Sequence, residues 1–447
     1  MSKYQAYSEY KYSGVEWLGK IPKHWNVCRL KHLVTIRNGQ DYKMVQSDAG
    51  YPVIGSGGQF AFSTQYMYDK PSVLLGRKGT IDKPLYVNEP FWTVDTMYYT
   101  EMRDDVDAGY LYYLALTIQF DRYSTSTALP SMTQENLGNY FFAVSNEITE
   151  RLLISTFLDH ETAKIDILIE KQQQLITLLK EKRQAVISHA VTKGLNPDSP
   201  MKDSGVEWLG NVPTHWNITR IGFHTLKIGS GKTPKGGAEI YQEDGVLFLR
   251  SQNIYDDGLR IGKSESVFIS ENIHEEMKGT KVYGGDILLN ITGGSIGRSC
   301  LVPKNFIETN VNQHVCIIRM PKSLSEYVSL VMKSVSIKEQ IVSIQTGGNR
   351  EGLNFEQISK FVFCLPSEKE RISLIKYIHS VLKKFDSLES KANEVIRLMQ
   401  ERRTALISAA ITGKIDVRHW QAPVTHQASN HSAYQSHLCR HDLSKVS

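Results

Sequence analysis

The sequence predicts an α+β protein in which two mixed α/β domains are separated by a pair of long antiparallel coiled-coil helices, with an internal pseudo-two-fold repeat. Three features of the 447-residue chain indicate this architecture. Two blocks of sequence occur twice, two long runs contain neither Pro nor Gly, and the segments between them carry short strand-like runs punctuated by glycine turns.

The duplication defines the repeating unit. Residues 13–30 read SGVEWLGKIPKHWNVCRL and residues 204–221 read SGVEWLGNVPTHWNITRI, so twelve of eighteen positions match. A second pair reads EKRQAVISHAVT from Glu181 and ERRTALISAAIT from Glu401. The chain is therefore predicted to be two copies of one unit, roughly 11–200 and 201–417. Between the matched blocks the copies diverge, which favours a common scaffold carrying two different recognition surfaces; the alternative is simple drift after duplication.

The scaffold part of each copy is predicted to be one long helix. Residues 147–192 and 367–412 contain no Pro and no Gly. Ser367 and Glu370 form a capping-box pattern at the start of the second run, and glycines follow both runs at 194 and 413. Each run would be about 65 Å long at 1.5 Å per residue, which is more typical of a coiled coil than of a globular helix.

Apolar residues at intervals of three and four predict the surface through which these helices pair. The alternative is two separate amphipathic helices, each packed on its own domain. The predicted seam consists of Ile165, Leu168, Gln172, Leu175, Leu179 and Lys182 in the first copy, and of Phe385, Leu388, Ala392, Val395, Met399 and Arg402 in the second.

The divergent segments, near 26–145 and 217–365, are predicted to be mixed α/β. Strand-like runs include PSVLL from Pro71, HVCIIR from His314 and FVFCL from Phe361. The predicted domain boundaries are 1–146 for the first mixed domain, 147–196 for the first helix, 197–366 for the second mixed domain, 367–415 for the second helix, and 416–447 for a flexible C-terminal tail.

Composition excludes several classes of protein. No run approaches the roughly 20 apolar residues that a membrane helix needs, and the N-terminus lacks the apolar core of a signal peptide. The five cysteines are odd in number and show no C-x-x-C spacing, which argues against a disulfide framework or a zinc knuckle and for the reducing cytoplasm. The net charge of +5 is compatible with nucleic acid.

The stretches that resemble catalytic motifs each lack a required residue, so no catalytic residue and no metal site are predicted. GSGKT at 229–233 has Leu226 where a phosphate-binding loop needs Gly. Asn196-Pro197-Asp198-Ser199 lacks the second Pro and the aromatic ring of an amino-methyltransferase motif. A metal-dependent nuclease site could be assembled only from scattered residues such as Asp257 and Glu276, which are better explained as solvated surface.

The remaining polar clusters are typical of DNA recognition. Glycines permit close approach of the backbone, Arg, Asn and Gln can hydrogen-bond base edges, and Lys attracts phosphates. Solvated polar loops look similar, so the argument depends on the joint pattern. The candidate residues for contacting double-stranded DNA are Ser56, Arg77, Lys78, Lys232, Thr233, Lys235, Arg250, Gln252, Asn253, Arg298, Asn349 and Arg350.

On these motifs the sequence resembles the specificity subunit of type I restriction-modification systems. The resemblance is carried by the twin SGVEWLG…P-x-H-W openings and the twin E-[KR]-R-x-A-[VL]-I-S-x-A-[VI]-T helix ends, with support from SGKTP at 230, GDILLNITGGSIG at 285 and LLGRKGT at 74. It covers residues 11–417.

The resemblance implies two target-recognition domains, each reading one half of a split, asymmetric DNA site, with the paired helices as a spacer. The subunit would catalyse nothing. It would recruit two methyltransferase subunits, which methylate adenine, and motor-nuclease subunits, so that S-adenosylmethionine, ATP and Mg²⁺ would belong to those partners.

Residues in the repeated blocks are candidates for holding the partners or for building the scaffold. Two alternatives remain open at this point: a self-contained DNA nuclease or methyltransferase, and a coiled-coil scaffold that binds only proteins. The candidate residues are Trp17, Trp25, Trp208, Trp216, Arg183 and Arg403.

Overall fold

The structure, a computed structural model, describes residues 4–122, 130–345 and 352–422. It contains two compact units, of which the first takes residues 1–172 and 394–447 and the second takes residues 173–393. Each unit holds one divergent segment together with part of each long helix. No helix among the described residues is long and apolar enough to cross a membrane.

The first copy begins with short strands and two short helices and ends in a long one. Its helices are α1 (Ala108–Ala115), α2 (Gln134–Asn139) and α3 (Ile148–Lys193). Its strands are β1 (Tyr10–Tyr12), β2 (Lys20–Pro22), β3 (Trp25–Arg29), β4 (Val34–Asn38), β5 (Gln46–Ser47), β6 (Tyr51–Gly55), β7 (Gly58–Ser63), β8 (Ser72–Gly76), β9 (Leu85–Val87), β10 (Trp92–Thr93), β11 (Met97–Met102) and β12 (Phe141–Ser145).

The second copy has the same plan with additional short elements. Its helices are α4 (Glu271–Glu276), α5 (Lys322–Met332), α6 (Val335–Gln345), α7 (Phe355–Ser359) and α8 (Glu368–Ile411). Its strands are β13 (Met201–Asp203), β14 (Asn211–Pro213), β15 (Asn217–Arg220), β16 (Lys227–Ser230), β17 (Val246–Leu249), β18 (Ile254–Tyr255), β19 (Gly258–Leu259), β20 (Phe268–Ile269), β21 (Lys281–Val282), β22 (Ile287–Asn290), β23 (Ser299–Leu301), β24 (Thr309–Val311), β25 (Val315–Arg319) and β26 (Val362–Leu365).

The two divergent segments share one sheet topology although their sequences do not match. An antiparallel sheet has the order β4-β11-β8-β9 in the first unit and β16-β25-β22-β23 in the second. A second sheet contains one parallel pair in each unit, β6 with β10 and β17 with β24. A short ladder precedes each long helix, β12 on β3 and β26 on β15. Divergence has therefore changed the side chains and kept the fold.

The core of each unit lies between its antiparallel sheet and the long helices. Trp25 in the first unit and Trp216 in the second are fully buried in these cores. Gly413, at the end of α8, is close to the Trp25 ring, and Gly194, at the end of α3, is close to the Trp216 ring. Both glycines have positive φ, 72° and 79°, which is the left-handed conformation that ends a helix.

Five of the twelve residues predicted to form a seam on the long helices are exposed. Ile165 and Leu179 are buried as predicted, but Leu168 and Leu175 are 43% and 39% exposed. Ile169 is partly buried in the core in place of Leu168. Leu168 and Ile169 are adjacent and both apolar, so the sequence alone could not show which of the two follows Ile165 in the buried stripe. In α8, Leu388 is 45% exposed, and Lys182 and Arg402 are exposed as well.

The last described residues pack on the first unit, so the predicted tail boundary at residue 416 is too early. Val417 is 1% exposed, and the Asp416 N–H donates to the carbonyl of Gln5 at 2.8 Å. The Trp420 ring lies 5.5 Å from that of Phe157. Apolar side chains at 417 and 420 account for this packing. Residues 423–447 of the predicted tail lie outside the described residues.

Candidate nucleic-acid interface

In each unit, three loops meet at one end of the strands of the antiparallel sheet. In the first unit, the loop after β4 bonds to β10 (Gln40 N to Thr93 O, 2.9 Å). The loop after β8 bonds to the loop between β10 and β11 (Arg77 N to Thr96 O, 2.9 Å). We call these the first loop (after β4 or β16), the second loop (after β10 or β24) and the third loop (after β8 or β22).

The second unit repeats this arrangement with different side chains. Its first loop bonds to β24 (Lys232 N to Val311 O, 3.2 Å), and its third loop bonds to the second (Ile291 N to His314 O, 3.0 Å). A glycine opens the first loop in both units, Gly39 and Gly231, because a Cβ at either position would overlap a backbone carbonyl of the second loop. The close approach of these two loops thus requires glycine.

Candidate residues of the first unit lie at these loops. Arg77 donates to the carbonyl of Asp95 at 3.1 Å, which fixes its guanidinium group over the second loop. Lys78 is exposed beside it. Ser56 lies on the turn between β6 and β7, and a Cβ on neighbouring Gly55 would lie 3.7 Å from the Val94 side chain of the second loop. Lys78, Arg77 and Ser56 therefore border one surface.

In the second unit, Lys232 and Thr233 follow the glycine of the first loop, and both are exposed. Lys235 is exposed just beyond them. Arg298 ends the third loop with its guanidinium carbon 4.9 Å from the centre of the Tyr255 ring, and Arg260 lies 5.0 Å from the same ring. Cation–π contact holds these guanidinium groups in place while leaving their N–H groups able to donate.

The neighbouring candidates divide into exposed and structural residues. Gln252 is exposed, whereas Asn253 is 1% exposed. The Asn253 amide accepts from Arg250 N at 2.8 Å and donates to the carbonyl of Arg260 at 2.7 Å, so it shapes the loop from within. Arg250 donates to the carbonyl of Glu265 at 3.2 Å. Asn349 and Arg350 lie outside the described residues.

Sequence reasoning missed the second loop of the second unit. Gln313 and His314 lie there and contact each other, and Thr292 of the third loop contacts His314. His314 was assigned to the strand HVCIIR, but the strand begins at Val315. The signal that could have found them is a polar Asn-Gln-His stretch directly between two apolar strand segments, the usual position of a functional loop.

The repeated His-Trp pair lies at the start of each long helix. In the first unit, Glu150 is 1% exposed and accepts hydrogen bonds from Tyr7 Oη (2.6 Å), His24 Nε2 (2.9 Å), Trp25 Nε1 (3.3 Å) and Ser145 Oγ. Burial alone would raise the pKa of Glu150, but the bonds from Ser145, Tyr7 and His24 lower it below the ordinary carboxyl value.

The equivalent carboxylate of the second unit has a simpler environment. Glu370 accepts from His215 Nε2 at 3.1 Å and its side chain is 30% exposed. Trp25 and Trp216 are buried, so these two tryptophans act within the scaffold. Trp17 and Trp208 are half-buried, and Trp17 stacks on Tyr140 at 5.4 Å.

Among the described residues, His274, Glu275 and Glu308 are grouped closely enough to suggest a metal ion. However, the Lys281 ammonium lies 2.6 Å from Glu275 and 2.8 Å from Glu308. These carboxylates hold the pKa of Lys281 above its ordinary value, so a cation already occupies the site. We assign the group as an ion-pair network.

With this geometry in view, comparison with known proteins assigns the family. The model of the type I restriction modification DNA specificity domain matches residues 22–177 and again residues 219–398. The two matches include both divergent segments and most of the helix that follows each.

The chain belongs to this family.

Relatives of the chain are type I specificity subunits as well. The specificity subunit of type I restriction enzyme EcoBI from Escherichia coli is 23% identical over 78% of this chain and 74% of its own length. The EcoKI specificity subunit from Escherichia coli strain K12 is 19% identical over 90% of this chain and 92% of its own length. A specificity subunit recognises DNA sequence, which is the chemistry that the paired three-loop surfaces are suited to.

A solved structure shares the fold. One chain of a structure described as the structural basis underlying complex assembly and conformational transition of the type I R-M system superposes with a TM-score of 0.64. The match covers 88% of this chain and 99% of that chain at 12% sequence identity. The similarity therefore concerns the path of the backbone, and the side chains of the loops are specific to this protein.

Proposed function

We propose that this specificity subunit reads a split, asymmetric site in double-stranded DNA, one half with each unit. The observation that carries the proposal is the recurrence of the three-loop surface in both units with different side chains. Arg77 and Lys78 occupy the first unit's surface, whereas Lys232, Thr233 and Arg298 occupy the second's. Two surfaces of equal construction and unequal chemistry suit two unlike half-sites.

Attraction to DNA phosphates and hydrogen bonding to base edges are assigned to different side chains of the loops. Exposed Lys78, Lys232 and Lys235 draw each unit onto phosphates, with an affinity that falls steeply with salt. Arg77, Arg298 and Gln252 present guanidinium or amide groups, which hydrogen-bond base edges in the major groove. Asn253 shapes the loop beneath them.

The long helices act as the spacer, and we propose that they form an antiparallel coiled coil. In the first unit Arg403 Nε donates to Asp166 at 2.9 Å, and in the second unit Arg183 pairs with Asp386. Asp386 and Arg403 are the repeat equivalents of Asp166 and Arg183, 220 residues on. Each ion pair therefore joins the helix of one copy to the helix of the other. Residue 166 pairs with residue 403 and residue 183 with residue 386, so the two helices run in opposite directions at these pairs.

We propose that this exchange of equivalent partners reflects a pseudo-two-fold repeat, from which both recognition units would address the same side of a duplex. Half-sites about one helical turn apart, roughly 34–36 Å, follow from such symmetry. Helices α3 and α8 contain 46 and 44 residues. At 1.5 Å per residue they are about 65–70 Å long, enough to set that separation.

The same symmetry supports recruitment of two copies of one partner, the methyltransferase subunit. Exposed apolar residues of the long helices fall at equivalent positions: Leu152 with Ile372, Leu168 with Leu388, and Leu178 with Leu398. We propose that these matched apolar residues contact the two methyltransferase subunits. Arg183 and Arg403 pair with Asp386 and Asp166 of the opposite helix, a scaffold role.

We further propose that the chain itself is non-catalytic and works in the cytoplasm. Methylation of adenine with S-adenosylmethionine, and translocation and cleavage with ATP and Mg²⁺, would belong to the methyltransferase and motor-nuclease subunits. The polar side chains of the described loops suit base reading and phosphate attraction, and several of them bond to one another or to backbone.

The test is a map of methylated adenines in the host genome with the gene intact, deleted and restored. We expect one split, asymmetric motif to lose methylation on deletion and regain it on restoration, with all other motifs unchanged. An unchanged map in cells that express the methyltransferase subunit would contradict the proposal.

A further inference from the structure

A chain of hydrogen bonds joins the three loops of the second unit. Thr233 of the first loop donates to Oε1 of Gln313 in the second loop. The Gln313 Nε2 atom lies 2.9 Å from His314 Nε2, and His314 Nδ1 lies 2.6 Å from Thr292 Oγ1 in the third loop. Gln313 is exposed, whereas His314 and Thr292 are half-buried.

The direction of the chain determines how the Gln313 amide is oriented. An amide nitrogen only donates, so His314 Nε2 must be the acceptor and the His314 proton must lie on Nδ1. That N–H then donates to the Thr292 hydroxyl. At the other end, the Thr233 hydroxyl donates to Oε1, so both ends of the amide are fixed by neighbours of the correct polarity.

These contacts leave Gln313 with half of its hydrogen-bonding capacity. An amide carries two N–H donors and two lone pairs on oxygen, and the bonds to Thr233 and His314 use one of each. Counting contacts among the described residues, one donor and one acceptor remain on this exposed planar group. The major-groove edge of adenine offers the complementary pair, the N7 acceptor and the N6 amino donor.

We propose that Gln313 reads an adenine in the half-site of the second unit, with Thr233 and His314 as positioning residues that hold its amide. The inference rests on the proposed function and adds the base class and the residue. The cationic neighbours carry donors only, so Lys232 and Arg298 suit phosphate or guanine. Gly293 and Gly294 of the third loop have open space where a Cβ would be.

Gln313→Glu provides the most direct test, because a carboxylate accepts hydrogen bonds and cannot donate to N7. The complex of this chain with its methyltransferase subunits is assayed on DNA libraries in which each position of the split motif is randomised in turn. We expect the preference at one position of the second half-site to move from adenine towards cytosine, whose N4 amino group is a donor. Discrimination at that position should fall about 5- to 150-fold in Gln313→Ala.

Two further variants separate base reading from structure. His314→Phe removes the acceptor that fixes the amide, so discrimination at the same position should fall although Gln313 is intact. Gln242→Glu is the matched control, because Gln242 is an exposed residue of the same unit outside the three loops. It makes the same charge change and should leave every position unaltered. The first half-site serves as an internal control in all variants.

Several outcomes would overturn the inference. A second half-site without an A·T pair would do so at once, as would a uniform loss over all sequences in Gln313→Ala, which would indicate a phosphate contact. An unaltered preference in Gln313→Glu would do the same. If the wild-type complex recognises no split motif, the proposed function fails as well, so the two failures are distinguishable.

Discussion

Equivalent residues of the two copies differ in what surrounds them, and Glu150 and Glu370 show this most clearly. Both begin a long helix and both accept from the histidine of the repeated His-Trp pair. Glu150 has three further donors and is buried, whereas the Glu370 side chain is 30% exposed. The N-terminal Tyr7 supplies one of the additional bonds. Duplication has preserved the hydrogen bond from histidine to glutamate at the start of each long helix. The surrounding residues determine how many further hydrogen bonds each carboxylate accepts.

We predict that Glu150→Gln lowers the free energy of unfolding of the first unit by about 2 kcal/mol, because an amide cannot accept from all four donors. Glu370→Gln, the matched variant, should cost less than about 1 kcal/mol because water screens a partly exposed pair. Urea unfolding, resolved by amide hydrogen exchange for each unit, measures both. Equal losses would show that burial of Glu150 is not decisive.

A pH dependence follows from the lowered pKa of Glu150. The folded state favours the carboxylate, so its contribution to stability is complete above the ordinary carboxyl pKa of about 4.3 and is lost as pH falls through the lower folded value. Between about pH 5 and pH 3 the wild-type chain should lose more stability than Glu150→Gln does. Urea midpoints recorded across this range for both proteins provide the measurement, and parallel curves would contradict the assignment.

Lysines of the loops should behave differently from base readers. We predict that Lys78→Ala and Lys232→Ala each weaken DNA binding nearly equally for all sequences and reduce the slope of log affinity against log salt by about one. Both ammonium groups are exposed, and phosphate attraction carries no sequence information. Salt titrations on specific and nonspecific duplexes test this. A loss confined to one base pair would instead make the lysine a reader.

For the long helices, the first and last residues could be predicted from the sequence, but the side of each helix that is buried could not. Helix α3 begins at Ile148 and α8 ends at Ile411, each within one residue of the runs that lack Pro and Gly. Burial depends on rotation about the helix axis, and adjacent apolar residues such as Leu168 and Ile169 leave that rotation undetermined. The three-loop surface was also beyond prediction, because Thr233 and Gln313 are 80 residues apart. Only strand pairing brings them together.

The reciprocal ion pairs of the helices lead to a prediction at the scale of these elements. Asp166→Arg should lower stability by about 1 kcal/mol, since it removes one pair and places two guanidinium groups together. The double exchange Asp166→Arg with Arg403→Asp should recover most of the loss. Both side chains are partly exposed, 36% and 25%, so the pair determines register more than it adds stability. A double-mutant cycle without coupling energy would show that the two residues do not interact.

For the whole molecule, the proposed spacer role of the long helices leads to a prediction about the distance between half-sites. Residues 173–179 and 390–396 are opposite segments in the proposed antiparallel register, because each lies seven residues from the Asp166–Arg403 pair and four residues from the Arg183–Asp386 pair. Deleting both segments removes one heptad from each helix and keeps both ion pairs. The length removed is about 10 Å, or about three base pairs.

We predict that this double deletion shortens the spacer of the recognised motif by about three base pairs and leaves both half-sites unchanged. Binding should weaken, because three base pairs also rotate one half-site by about 100° around the duplex, whereas a heptad rotates a helix by only about 20°. Adenine methylation on libraries with spacers of every length measures the effect. Deleting only 173–179 is the control, because it breaks the register and should lower stability. An unchanged spacer in the double deletion would show that the helices do not set the distance between the half-sites.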